Sequence, residues 1–113
     1  MTGTFKTVFT DVRAALDSAP DEAVNTFAAR SKQLSGFLSE VAVRDFRFRV
    51  DEPPGIGGSD LAPSPVEYVL AALAACQEVT YRLYADALGI PLAGVSVTVE
   101  GTIDRRGFFA VDD

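Results

Sequence analysis

The sequence predicts an α+β fold, a curled antiparallel sheet packed round one long central helix and completed by a partner chain. Three observations predict it. Strand-like alternation precedes and follows a single uninterrupted helical run; that run is apolar on nearly every side; and the last strand pattern is still strongly apolar at Val111. The 113 residues suit one domain. We divide them into an N-terminal helical segment, residues 1–22, and the main body, residues 23–113.

The helical segment comes first. Phe5, Val8, Phe9, Val12, Ala15 and Leu16 recur at spacings of three and four, the period of one helical face. Ser18-Ala19-Pro20 then stops the helix. From Ala23 to Lys32 the pattern is strand-like, and Leu34-Ser35-Gly36 makes a turn. A second strand is expected over Phe37 to Val50. Its apolar residues switch from odd positions (Val41, Val43) to even ones (Phe46, Phe48, Val50), which predicts a β-bulge near Arg44. Residues 51–63 form a loop rich in proline and glycine. No GK[ST] follows these glycines, so the loop lacks the pattern that cradles phosphate.

The segment SPVEYVLAALAACQEVTYRLYADALGIP, residues 64–91, carries the clearest signal. Ser64 is a good N-cap, Pro65 suits the first helical position, and Glu67 completes a capping box. Gly89 and Pro91 supply the stop. A helix over Pro65–Leu88 would be about 36 Å long. No charge occurs from Val69 through Cys76, so that half is expected to be buried all round, by the sheet or by a partner. Beyond it, Val95, Val97 and Val99 alternate with Ser96, Thr98 and Glu100, a strand with one buried face. Asp104 to Gly107 makes a turn, and Phe108 begins another strand.

Composition narrows the chemistry. With 10 basic and 16 acidic side chains the net charge is −6, and the pI of about 4.5 argues against a nucleic-acid binder. An acidic carrier protein is disfavoured as a partner too, unless the arginines gather into a patch. There is no histidine, which removes Ser–His and Cys–His catalysis within the chain and the commonest zinc ligand. A single cysteine excludes intrachain disulfides and cysteine metal clusters. No cofactor or metal is expected, and no membrane span or signal peptide, so the cytoplasm is the expected location.

Cys76 is the evident nucleophile, because a thiolate attacks far better than a hydroxyl. The alternative is a small core residue. At about 100° per residue, Val69, Ala72, Leu73, Thr80 and Leu83 share its helix face, an apolar substrate pocket with one hydroxyl. Glu67 lies nearly opposite and reads as a cap rather than a base. An apolar pocket raises a thiol pKa, so a thiolate needs a cation. Arg30 and the hairpin arginines Arg44, Arg47 and Arg49 are the candidates, the last three also fitting a solvated strand face. Tyr68, Tyr81 and Tyr84 fit packing at an interface or contact with substrate.

The loop GIGGSDLAPSP, the helix start SPVEYVLAALAAC and the sequel ALGIPLAGVSVTVEG resemble the OsmC/Ohr family over about residues 23–113. That resemblance implies a long sheet curled round two central helices, intertwined dimers, and active sites at the interface. It implies a thiol peroxidase of organic hydroperoxides, with Cys76 attacking the peroxide and Arg30 matching the activating arginine. The sequence departs from that pattern. Val66, not a glutamate, follows Pro65; there is no resolving cysteine; and the second central helix is missing. A split fold completed by a second polypeptide in a heterodimer is therefore expected. The favoured activity is hydrolysis of acyl groups held as thioesters on a carrier or on CoA, with Cys76 as nucleophile. Hydroperoxide reduction and a non-catalytic subunit are the alternatives.

Overall fold

In a computed structural model, residues 5–111 of the chain are described. The remainder of the 1–22 and 23–113 segments, residues 1–4 and 112–113, lies outside the described residues. Helix α1 spans Lys6–Ser18, two residues past the expected end, and closes where the Ala19 N–H and the Ser18 hydroxyl both donate to Ala15 O. Pro20 then opens a short 3-10 turn over Pro20–Ala23. α1 lies against the last turns of the long helix α2, Pro65–Ala87, where the Phe9 and Tyr84 rings meet edge to face at 5.3 Å.

The sheet has three antiparallel strands in sequential order: β1 Arg30–Ser35, β2 Leu38–Val43 and β3 Phe46–Val50. The strand expected from Ala23 starts only at Arg30, because β2 turns away just beyond Ala42, the partner of Arg30. Val24 and Phe27, left without a partner strand, are more than four-fifths exposed. The β1–β2 turn falls at Gly36, whose φ of +58° suits glycine. The register shifts between Gln33 and Ser35.

One expectation is corrected outright. Residues 37–50 are two strands, and the switch of faces near Arg44 is a two-residue hairpin turn instead of a bulge. Val43 pairs with Phe46 and Val41 with Phe48, so odd positions of β2 and even positions of β3 share one face. Arg44 adopts a left-handed φ of +53° at the reversal.

The loop from 51 to 63 is organised round the buried Asp51 carboxylate. Its Oδ1 accepts the Glu52 N–H at 2.8 Å and its Oδ2 accepts the Leu61 N–H at 3.2 Å. Gly58 passes so close to Glu52 that a Cβ there would lie 1.8 Å from the Glu52 carbonyl oxygen. The 23-residue α2 then begins with the expected capping box. It ends in a Schellman motif one residue short of Leu88: Ile90 N–H reaches Ala85 O, Gly89 N–H reaches Asp86 O, and Gly89 takes φ +70°.

After α2 no further strand forms among the described residues. Residues 95–100 do alternate as expected, with Val95, Val97 and Val99 half-buried and Ser96, Thr98 and Glu100 exposed. The segment runs back along α2, from Val95 beside Val79 and Leu83 to Gly101 beside Leu70. It is not a strand because, among the described residues, no backbone–backbone hydrogen bond involves residues 93–103. Residues 105–110 coil into turns, with Phe109 N–H on Arg105 O and Val111 N–H on Arg106 O, in place of the strand expected from Phe108.

The sheet does not wrap α2 as expected. Its apolar face meets only the first turns, through the Phe48 and Tyr68 rings 5.0 Å apart and a Tyr68 hydroxyl donating to Arg49 O at 2.7 Å. A wrap would need strands beyond α2 to join the sheet. Ala85 is the only buried apolar residue among those described. The accessible surface of 9237 Å² exceeds by about 3,000 Å² that of a typical folded chain of this mass. The radius of gyration, 19.3 Å, compares with about 13 Å for a globule of this length. The described chain thus leaves much of its apolar surface exposed.

Candidate functional site

Cys76 lies midway along α2, and its thiol is exposed. Around it runs the predicted face: Val69 is 67% exposed and Leu73 47%, with Ala72 and Thr80 exposed and Leu83 half-buried. The opposite side of the helix, through Leu70, Ala74, Gln77 and Ala85, is the covered one. The helix is therefore not buried all round, and the open stripe is the one that bears the thiol. Core filler is a poor description of a sulfur so placed.

The polar groups near the stripe are mostly committed elsewhere. The Thr80 hydroxyl donates to the Cys76 carbonyl oxygen at 2.9 Å, a turn back along the helix. Glu67 is a cap: its Oε1 accepts the Ser64 N–H at 2.9 Å while the Ser64 hydroxyl accepts the Glu67 N–H. The Ser64 N–H foremost, and the Ser64 side chain after it, hold its carboxyl below the usual carboxylate range. Tyr68 is spent on Arg49 and Tyr84 on Phe9, while Tyr81 is 56% exposed.

Arg30 opens β1 as an exposed residue. By register it lies in a row with Ala42 and Arg47, the neighbouring row being Ser31, Val41 and Phe48. Phe48 faces Tyr68 of α2, so Arg30 is on the outer side of the sheet, and no hydrogen bond or ion pair joins it to Cys76. Arg44 leans over the Phe46 ring at 5.0 Å. Among the described residues no cluster of Cys, Asp and Glu could hold a metal ion. No helix there is long and apolar enough to cross a membrane.

Sequence reasoning missed two buried carboxylates, Asp51 and Asp86. Asp86 is fully buried; its Oδ2 accepts the Phe5 N–H at 2.9 Å, and its Oδ1 lies 3.7 Å from Arg82 Nη1. The same Arg82 nitrogen donates to Leu92 O at 2.9 Å. A signal existed: an acidic residue in the last turn of a helix opposes the macrodipole and needs a reason to be there. Asp51 offered none beyond its place at the end of a strand.

What the site can do follows from this arrangement. It presents one accessible thiol in an apolar stripe, with no carboxylate or guanidinium against it among the described residues, and so suits attack on an electrophile carried by an apolar group. No curated protein matches the chain. Residues 57–112, which include all of α2 and Cys76, match the family model described as OsmC-like protein. Over residues 57–112 the chain is similar to OsmC-like protein.

Proposed function

We propose that this protein is a cysteine-nucleophile OsmC-like subunit that hydrolyses thioester-bound acyl groups. The observation that carries the reading is the exposed Cys76 thiol within an open apolar stripe from Val69 to Leu83. The Cys76 thiolate attacks the thioester carbonyl and the acyl–sulfur bond to the carrier breaks, so that the leaving thiolate takes up a proton. Water then cleaves the acyl–Sγ bond, releasing the acid and restoring the thiol. The aliphatic part of the acyl group lies along Val69, Ala72, Leu73 and Leu83.

The completing surface comes from a second polypeptide. In support, the Cys76 stripe is uncovered, and among the described residues the backbone of 93–103 makes no backbone–backbone hydrogen bond. That polypeptide supplies the cation that makes the thiolate and the base that activates water.

The similarity to OsmC-like protein favours a second reading, reduction of organic hydroperoxides. There the Cys76 thiolate takes the distal peroxide oxygen, the O–O bond breaks, and the alcohol leaves; an external thiol must reduce the resulting sulfenic acid, because the chain has one cysteine. The Glu67 carboxylate, fixed in the helix cap, weighs against an arginine–glutamate pair at the thiol. Assaying wild type and Cys76→Ala, each assembled with that second polypeptide, on an acyl thioester and on an alkyl hydroperoxide with a dithiol separates the readings. Thioester cleavage that vanishes in Cys76→Ala is expected; peroxide consumption alone would transfer the assignment, and no turnover of either would leave a non-catalytic subunit.

A further inference from the structure

The sheet register sorts the strand charges by face. Arg30, Ala42 and Arg47 form one cross-strand row and Lys32, Glu40 and Arg49 the next, all on the side away from Tyr68. Four exposed cations therefore surround a single half-buried carboxylate. Among the described residues none of the five makes a side-chain hydrogen bond or ion pair. Arg44 is excluded, since it folds onto Phe46. Residues 30–50 hold five cations and two carboxylates, a net +3 in a chain of −6. The arginines have gathered, which is the condition under which an acidic carrier protein becomes an acceptable partner.

The size of the patch selects the partner. Three strands and two rows make it roughly 10 Å across and 7 Å along the strands. Carboxylates one turn apart on a helix are about 5–6 Å apart and match that spacing. Nucleic acid or an anionic membrane would extend past the patch onto a chain that is otherwise strongly acidic. We propose that the outer face of the sheet, Arg30, Lys32, Arg47 and Arg49, docks an acidic helix of a carrier protein that delivers the acyl thioester. The docking stands on the charge arrangement; that the carrier brings a thioester rests on the function proposed above.

The test uses the full chain and an acyl carrier protein loaded with an octanoyl thioester as the probe, titrated by fluorescence anisotropy at low ionic strength. Saturable binding is expected, weakening steeply as salt is added. Arg47→Glu with Arg49→Glu should lower the affinity at least about tenfold, and the milder Arg47→Gln with Arg49→Gln by an intermediate factor. Circular dichroism checks that both variants keep the sheet. Absence of binding, binding indifferent to both double variants, or tighter binding to duplex DNA or anionic vesicles would overturn the docking surface. A small uncharged thioester, which needs no docking, separates the two proposals. Wild type should cleave it whether or not the carrier protein is present. If it is not cleaved while the carrier still binds through the arginines, the hydrolase reading fails and the docking face stands.

Discussion

The Asp86 carboxylate, near the end of α2, accepts the Phe5 N–H at 2.9 Å and so ties down the first turn of α1 from 81 residues away. That N–H is one of the orphan donors at a helix start, and Phe5 has no side-chain cap to satisfy it. Asp86→Ala should strip the anchor and leave the donor unsatisfied, a loss of about 1–3 kcal/mol. Urea unfolding measures the stability, and faster proteolysis between residues 19 and 29 would report release of α1.

Asp51 predicts an acid-sensitive loop. The Glu52 N–H, and after it those of Leu61 and Ser59, lower its carboxyl from the ordinary value against the opposing cost of burial. A group depressed in the folded state stabilises it fully above the unfolded pKa, about 3.9, and loses that contribution as pH falls through the lower folded value. Asp51→Asn should remove this acid limb and loosen residues 51–63 at neutral pH. Hydrogen exchange at Glu52 and Leu61, followed from pH 7 downwards, checks both effects.

Gly58 has no room for a side chain, since its Cβ would sit 1.8 Å from Glu52 O. Gly58→Ala must push apart backbone that the Asp60 N–H to Glu52 O bond holds together. A cost of about 1–3 kcal/mol is expected, seen as a lower melting temperature. Gly55→Ala is the control, because a Cβ there meets nothing within 4 Å.

The two roles offered for Glu67 make opposite predictions. As a cap it tolerates Glu67→Gln, which still accepts the Ser64 N–H. Ser64→Ala, in contrast, should cost about 1 kcal/mol of stability. Turnover by Glu67→Gln should stay within about twofold of wild type; a loss of orders of magnitude would make Glu67 part of the chemistry.

What the sequence disclosed, and what it hid, follows from the range of the interactions. The caps of α2 were legible because Ser64, Glu67 and Gly89 act on backbone within a few residues. The alternation of Val95, Val97 and Val99 was legible as an extended segment, but alternation cannot say whether a neighbour strand exists to pair with it. The odd-to-even switch at Arg44 fits a bulge and a two-residue hairpin equally, since both change parity by one; only the pairing of Val43 with Phe46 decides. The open Cys76 face was visible in outline from helical geometry. The Asp86 anchor was not, because it joins opposite ends of the chain, and neither was the gathering of Arg30, Lys32, Arg47 and Arg49, which depends on strand register.

The mass of the protein after a short exposure to an acyl thioester is the most direct measurement. We expect a single added acyl group that maps by peptide sequencing to Cys76, decays as free acid appears, and never forms on Cys76→Ala. Free acid released at the wild-type rate by Cys76→Ala, with no acylated intermediate on either protein, would contradict the account.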